Sequence, residues 1–356
     1  MLISDRGLYF PLFFFGALAL AYLLTLPVRR IAAHLSIHDH PDAPRKIHDS
    51  PRAKLGGLAI FSVFILGLLA LAAAGGAVEI SSVRLAGLAL GATILVIGGI
   101  LDDKYDLRPG VQIWFPVTAA LLVVLSGTHI SYVTNPFGGA IVLDQFKIYS
   151  YPVLGSLLVF AWIMGLTYTT KFLDGMDGLV TGIAGIAGLV IFGLSLNPEV
   201  NQTTTAFLAL IFAGACFGFL PFNFHPARIF LGEGGSTLTG FIIAVLAVIS
   251  GGKIATALLV LGIPVLDAAL VIVRRLWLRA SPFVGDKKHL HFRLLDIGLS
   301  QRQGVVFLYL LAAVFGSVAV FLQSLGKLVA LMILSVVMLA VAIGVVVLYR
   351  KKMQSK

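Results

Sequence analysis

The sequence predicts an all-α, polytopic integral membrane protein, and three observations carry that prediction. The chain is 59% hydrophobic with a mean hydropathy of +1.00, only 12% of its residues are charged, and its apolar residues gather into eleven long runs. Soluble domains carry about 25% charged residues, so this chain cannot cover a water-facing surface and a soluble globular enzyme is excluded. A membrane helix needs about 20 apolar residues. The 356 residues are therefore read as a single transmembrane domain, 1–356, with no room for a large extramembrane one.

The runs are bounded by charge, glycine and proline. The first, about 8–27, is followed by Arg29 and Arg30 and not by a small-residue cleavage site, so it reads as a retained anchor. The second, 55–76, opens at Gly56-Gly57, and the third, 83–101, closes on Asp102-Asp103. The fourth, 111–128, follows Pro109-Gly110; the fifth, 151–169, stops before Lys171; the sixth, 178–196, opens at Gly178. The seventh, 203–221, ends at Pro221, and the eighth, 236–250, lies between two glycine pairs. The ninth, 254–273, closes on Arg274-Arg275; the tenth and eleventh, 303–324 and 328–349, follow Arg302 and precede Arg350.

Eleven spans put the termini on opposite sides. Alternating the connections divides Lys and Arg about 21 to 5, which places the N-terminus outside and the C-terminus in the cytoplasm. The net charge of +10 and pI near 9.8 then reflect orientation and anionic lipid, and no nucleic acid partner is expected. The connections on the basic side, about 28–54, 102–110, 170–177, 222–235 and 274–302, carry most of the polar residues, whereas the longest outer one is 129–150. The lone Cys216 lies in an apolar run and has no intrachain partner for a disulfide.

Carboxylates cluster on the basic side. Asp102, Asp103 and Asp106 surround Lys104; if the helix runs on, Asp102 and Asp106 share a face. Asp174 and Asp177, in Asp-Gly-Met-Asp-Gly, are spaced to point the same way if their turn is helical. Paired carboxylates with little bulk beside them suit a hard cation such as Mg²⁺, which takes one or two carboxylates plus phosphate oxygens and water; Mn²⁺ and Ca²⁺ fit the spacing equally. Gly232-Glu233-Gly234-Gly235-Ser236-Thr237 has the pattern of an anion-binding helix start but lacks the Lys-Ser/Thr of a nucleotide-binding P-loop. Asn223 and Arg228, just upstream, are candidate phosphate donors or loop caps. His289 and His291 follow Asp286-Lys287-Lys288 and are candidates for phosphate binding or proton transfer, with an anionic-lipid patch as the alternative. Asp267 is the one acid inside an apolar run, after Pro264, and serves either function or helix packing. The histidines His34, His38, His40 and His48 read as solvated loop residues, and His129 and His225 have no evident partner. Taken together, four segments on one face fit a metal-assisted phosphoryl-transfer site at the membrane boundary.

With these motifs in order, the chain resembles the polyprenyl-phosphate N-acetylhexosamine-1-phosphate transferases, in particular their WecA/TagO-like branch, with MraY more distant. The likeness runs from about Lys46 to Arg302 and includes Pro51-Arg52-Ala53-Lys54-Leu55-Gly56-Gly57, the aspartate segments, Phe222-Asn223 through Ser236, Pro264 to Arg275 and His289-Leu290-His291. The resemblance implies transfer of a sugar-1-phosphate, most simply GlcNAc-1-phosphate, from a UDP-N-acetylhexosamine to undecaprenyl phosphate with release of UMP. It implies Mg²⁺ held by Asp174 and Glu233, Asp102 as a candidate base beside Asp103 and Asp177, and Lys54, Asn223, Arg228, His289 and His291 around phosphate or nucleotide. It further implies a bacterial cytoplasmic membrane, an active site on its cytoplasmic face, and membrane lipid as partner; a homodimer stays open. The chain departs from the family pattern at four positions. Glu233 replaces an aspartate, Phe292 a histidine and Gln112 a lysine, while Lys171 stands where asparagine is common and is the expected compensation. The alternatives are a MraY-like substrate, disfavoured by Pro-Arg-Ala-Lys before Gly56 and by Phe292, and an ion-coupled transporter, disfavoured because most acids lie at one boundary. A CDP-alcohol phosphotransferase is disfavoured by the lack of its Asp-Gly-x-x-Ala-Arg signature.

Overall fold

The computed structural model describes residues 2–39, 51–73, 79–135, 137–148, 151–198, 200–250, 254–279 and 289–354. Some of the basic residues expected on the cytoplasmic side fall beyond them: Arg45, Lys46, Lys287, Lys288 and Lys356, with His40, His48 and Asp286, lie outside the described residues.

The elements in chain order are α1 (Leu2–His34), β1 (His38–Asp39), β2 (Arg52–Lys54), α2 (Gly56–Ala73), α3 (Ser82–Tyr105), α4 (Pro109–Gln112) and α5 (Trp114–Leu125). Four short strands follow, β3 (Tyr132–Thr134), β4 (Ala140–Val142), β5 (Lys147–Ile148) and β6 (Tyr151–Pro152), then α6 (Val153–Leu173), α7 (Leu179–Ser195) and α8 (Thr203–Asn223). The chain continues through β7 (Ile229–Phe230), α9 (Gly232–Ile249), α10 (Ile254–Val260), α11 (Gly262–Trp277), α12 (Leu290–Asp296), α13 (Gln301–Phe321) and α14 (Ser324–Gln354).

Among the described residues, eight helices are long and apolar enough to cross a membrane, and α10 with α11 passes together as a pair bent by 83°. Two shorter apolar segments, Pro109–Leu125 and Leu179–Ser195, complete the set. The bend has a covalent cause: Pro264 cannot donate a hydrogen bond to the carbonyl of Val260, so the ladder breaks where α11 begins. The strongly buried helices sit at the centre; 83% of the apolar window of α9 is buried, against 17% of that of α14. α14 turns Leu325, Met332, Ile333 and Val336 outward, as expected of a helix whose outer face meets lipid.

The all-α expectation needs one correction. Among the described residues there are three small sheets, and one of them builds the site: β1 pairs antiparallel with β2, and β2 runs parallel to β7 with Lys54 opposite Phe230. Strands of two or three residues carry no apolar alternation to read. The other two pairs, β3–β4 and β5–β6, lie in the long connection between α5 and α6. α1 also continues through Arg29 and Arg30 to His34, beyond the expected end near residue 27, because arginine is a good helix former and nothing there stops the helix.

α9 meets its neighbours by backbone approach. A Cβ on Gly57 would strike the backbone of Gly235, and one on Gly99 the backbone of Gly234. These crossings bring α2 and α3 onto the first turn of α9. They set Glu233 beside the ends of both helices.

Candidate active site

The site forms where α1, α3, α6 and α8 end and where α2, α7 and α9 begin. Lys54, the last residue of β2, places its ammonium 3.3 Å from Asp39 and 3.5 Å from Asp103. Burial draws its pKa down, but the two carboxylates outweigh that loss and the net displacement is upward. Lys54 is therefore a fixed cation.

Asp103 does more than face Lys54. Its Oδ2 accepts the Glu233 backbone N–H at 3.0 Å, and any Cβ at Gly232, whose φ is +79°, would lie against that same oxygen. One of the free donors in the first turn of α9 is thus satisfied by the chain's own carboxylate, the arrangement that the positive end of a helix favours. The hydroxyls of Ser236 and Thr237 turn back to the Glu233 carbonyl at 3.1 and 2.8 Å. The anion-binding pattern read from the glycines is consequently used inside the fold.

Asp102 accepts the Leu107 N–H at 3.1 Å through Oδ1. Asp106 is the left-handed cap of α3, with φ 49°. The expectation that Asp102 and Asp106 share a helix face is corrected: the helix ends at Tyr105, and the reversal at Asp106 turns the two apart.

Asp174 and Asp177 also diverge, since α6 stops at Leu173 and the following turn is not helical. Asp177 Oδ2 meets His225 Nδ1 at 2.9 Å and accepts the Ala227 N–H at 3.0 Å, so it braces the connection before β7. Asp174 is exposed along one side and hemmed in by protein elsewhere. Its carboxyl is pushed up to about 8, first by desolvation and then by the charges of Glu233, Asp103 and Asp177. Water on the open side softens the first cause, and the three like charges still press in the same direction.

Glu233 is paired. Its Oε1 lies 2.6 Å from Lys171 Nζ, which also donates to Gln112 Oε1 at 2.6 Å. Three of the four positions singled out as departures from the family pattern thus touch one another. The fourth, Phe292, packs on His291 with ring centroids 4.3 Å apart.

The two histidines differ. His289 holds Asp267 through Nδ1 at 2.9 Å, and Leu290 N–H donates to the other Asp267 oxygen at 2.8 Å. His291 stacks on His289 with centroids 5.5 Å apart, and neither ring nitrogen has a hydrogen-bond partner among the described residues. Burial, aided by His289 and opposed by Asp267, lowers its pKa to about 4. It is a neutral imidazole at physiological pH, and its Nε2 lies so close to residue 175 that only glycine fits there.

Asn223 is committed to the fold: its Oδ1 accepts the Thr181 hydroxyl at 2.7 Å, and its Nδ2 donates to the Ile229 carbonyl at 3.1 Å. Arg228 is exposed beside β7. Sequence reasoning missed Asp39 as the second partner of Lys54, His225 as the partner of Asp177, and Arg302, which donates to the His225 carbonyl at 2.9 Å. Only the proline after His225 hinted that its loop was constrained. Asp267 was noticed but its partner was not, because His289 lies beyond a connection whose path the residues do not encode.

The donor set fits a hard divalent ion. Asp174 and Glu233 offer oxygen ligands, and the charges crowding Asp174 are what a cation would relieve. Among the described residues no group of three or more His, Cys, Asp or Glu could hold a metal; Mg²⁺ needs only one or two carboxylates and completes its shell with phosphate and water.

Comparison with known proteins places this arrangement in context. The family model described as glycosyl transferase family 4 matches residues 85–251. The chain is 31% identical over 333 residues to a Bacillus subtilis protein named a probable undecaprenyl-phosphate N-acetylglucosaminyl 1-phosphate transferase, covering 91% of this chain and 87% of that one. It is 35% identical to the Mycobacterium tuberculosis decaprenyl-phosphate N-acetylglucosaminephosphotransferase, over 83% and 78% of the two chains. With the undecaprenyl-phosphate alpha-N-acetylglucosaminyl 1-phosphate transferase of Escherichia coli K12 it shares 26% identity, over 82% and 78%.

Proposed function

The chain belongs to glycosyl transferase family 4, among its prenyl-phosphate N-acetylglucosaminyl 1-phosphate transferases, and from that premise we propose that it moves GlcNAc-1-phosphate from UDP-GlcNAc to undecaprenyl phosphate, releasing UMP. The observation that carries this reading is the meeting of Lys54, Asp103, Asp174 and Glu233 at one end of the helix bundle. It is a multi-pass membrane protein and a phosphotransferase. A MraY-like substrate is not favoured by the relatives.

We further infer eleven spans, taking the eight long helices, the bent pair and the two shorter apolar segments together. The Lys and Arg distribution supports a cytoplasmic C-terminus, and with it a site facing the cytoplasm across the bacterial inner membrane. A soluble UDP-sugar would then reach a lipid phosphate at the boundary.

Each side chain has a part. Asp174 and Glu233 would hold Mg²⁺, which when bound supplies charge neutralisation at the diphosphate. Lys54, fixed by Asp39 and Asp103, presents an ammonium to phosphate oxygens. Asp102 keeps one carboxylate oxygen outside its bond to Leu107, and through it would orient the acceptor phosphate or take its proton. Asp103 acts indirectly, locking Lys54 and the start of α9 in register. Asp177 holds the loop carrying His225 and Arg228 against the turn that carries Asp174. His289, its Nδ1 bound to Asp267, would present Nε2 as an acceptor to a hydroxyl or N–H of the nucleotide sugar.

The test is an assay of purified protein with undecaprenyl phosphate, Mg²⁺ and a panel of UDP-sugars, scoring UMP. UMP released with UDP-GlcNAc, and lost in Asp174→Asn, supports the reading. No UMP from any sugar overturns it.

A further inference from the structure

We propose that Lys171 is the resident counter-ion of Glu233, a cation that an incoming divalent ion must displace and that then turns to the phosphates of a bound nucleotide. The proposal rests on Glu233 being a metal ligand. Three elements converge on the Lys171 ammonium: its own last turn of α6, Gln112 at the end of α4, and Glu233 in the first turn of α9. The two contacts, each 2.6 Å, are short and charge-assisted.

The pair lies at the mouth of the site. Lys171 and Glu233 keep 19% and 18% of their side-chain surface exposed, so they are shielded enough to attract strongly and open enough for a solute to enter between them. The recess they border is lined by Gly98, Gly99, Phe115 and Tyr168. The Tyr168 ring lies 5.8 Å from the ammonium, within reach of a cation–π attraction.

Two features make Lys171 displaceable. Its second anchor, Gln112, is neutral, so leaving it gives up one uncharged acceptor. Its four-carbon stem is flexible, unlike the planar fork of an arginine. Lys54, by contrast, is held between two carboxylates. Among the described residues the site therefore sets a fixed cation, Lys54, beside a movable one, Lys171. A divalent ion brings twice the charge to Glu233, and the freed ammonium then has its three donors available for phosphate oxygens that arrive with the donor substrate.

The test uses the purified full-length chain in detergent, without substrate, titrated with Mn²⁺ and followed by the paramagnetic resonance of the free ion. Lys171→Met should bind Mn²⁺ about tenfold more tightly than the wild type because the competing charge is gone, while Lys171→Arg should bind no more tightly. In turnover, Lys171→Met should raise the KM for UDP-GlcNAc about tenfold, the loss of one charged contact to phosphate. Mn²⁺ binding by Lys171→Met that is unchanged or weaker overturns the proposal. Should that variant fail to fold, Gln112→Leu carries the same test: a smaller tightening is expected, and none overturns it. Glu233→Gln separates this proposal from the transferase reading. Loss of Mn²⁺ binding retains Glu233 as a ligand, whereas unchanged binding removes it and overturns the proposal, leaving UMP release to decide the activity.

Discussion

Asp267 and His289 are joined by a buried 2.9 Å hydrogen bond, and the second Asp267 oxygen accepts the Leu290 N–H at 2.8 Å. One carboxylate thus fixes both the ring of His289 and the start of α12. A carboxylate oxygen only accepts, so Nδ1 is the donor within this bond and Nε2 is left outside the pair. Asp267→Asn can keep the bond to Leu290 but presents an amide donor to His289, reversing the tautomer. Turnover should fall about ten- to hundredfold with little change in Tm, as when an orienting partner of a histidine is altered. Asp267→Ala should in addition cost about 3 kcal/mol of stability by leaving a buried donor unpaired. Parallel activity and thermal-unfolding measurements separate the two effects.

Asp174 supplies a pH dependence. Its carboxyl is raised from 3.8 to about 8 in the absence of metal. An acid raised on folding favours the native state most below its unfolded pKa, and that contribution disappears as pH rises through the folded value. Between pH 4 and 8 this group should therefore steadily destabilise the metal-free protein. Metal binding needs the ionised form, so Mg²⁺ should bind more tightly as pH rises towards 8 and should release a proton near pH 7. Calorimetric titration in buffers of different ionisation enthalpy reads that proton directly. Observed heats that are the same in every buffer at pH 7 would show that no proton is released and would exclude the assignment of Asp174.

The Asp177–His225 contact predicts a different kind of loss. Asp177→Ala removes the acceptor for both His225 and the Ala227 N–H, so the loop before β7 should loosen at a cost of about 1 to 3 kcal/mol. His225→Ala leaves the backbone bond in place and should cost less. Hydrogen exchange across residues 224–230 is the measurement. Equal protection in both variants and the wild type would show that Asp177 does not brace this loop.

At the helix crossings, Gly99→Ala should be worse than its single methyl suggests. The new Cβ would meet the backbone of Gly234, which no rotamer change can avoid. Destabilisation of about 1 to 3 kcal/mol is expected, together with lost activity, because relieving the clash moves Glu233. Gly110→Ala, where a Cβ meets nothing within 4 Å, is the matched control.

Much of the fold was legible because the membrane imposes one length and one polarity on each span. The runs closed by Asp102-Asp103, Lys171 and Arg274-Arg275 all correspond to helices. The bend at α11 was legible only as Pro264, since a proline marks a broken ladder without giving its angle. The carboxylates of the site were found by clustering, but their partners were not. Asp103 and Glu233 are 130 residues apart, and what joins them is a glycine crossing between α3 and α9. Likewise, local spacing suggested that Asp174 and Asp177 act together, yet the turn after Leu173 sends one to the site and the other to His225. The sheet carrying Lys54 escaped notice because β2 and β7 are too short to show a period.

In sugar-1-phosphate transfer the phosphorus attached to the sugar travels with it to the lipid. This is tested by incubating the purified protein with undecaprenyl phosphate, Mg²⁺ and UDP-GlcNAc labelled in the phosphate nearest the sugar. The label should enter the organic-soluble lipid in step with UMP released into water. Label recovered in water as UDP, or none in the lipid while sugar is transferred, would contradict it.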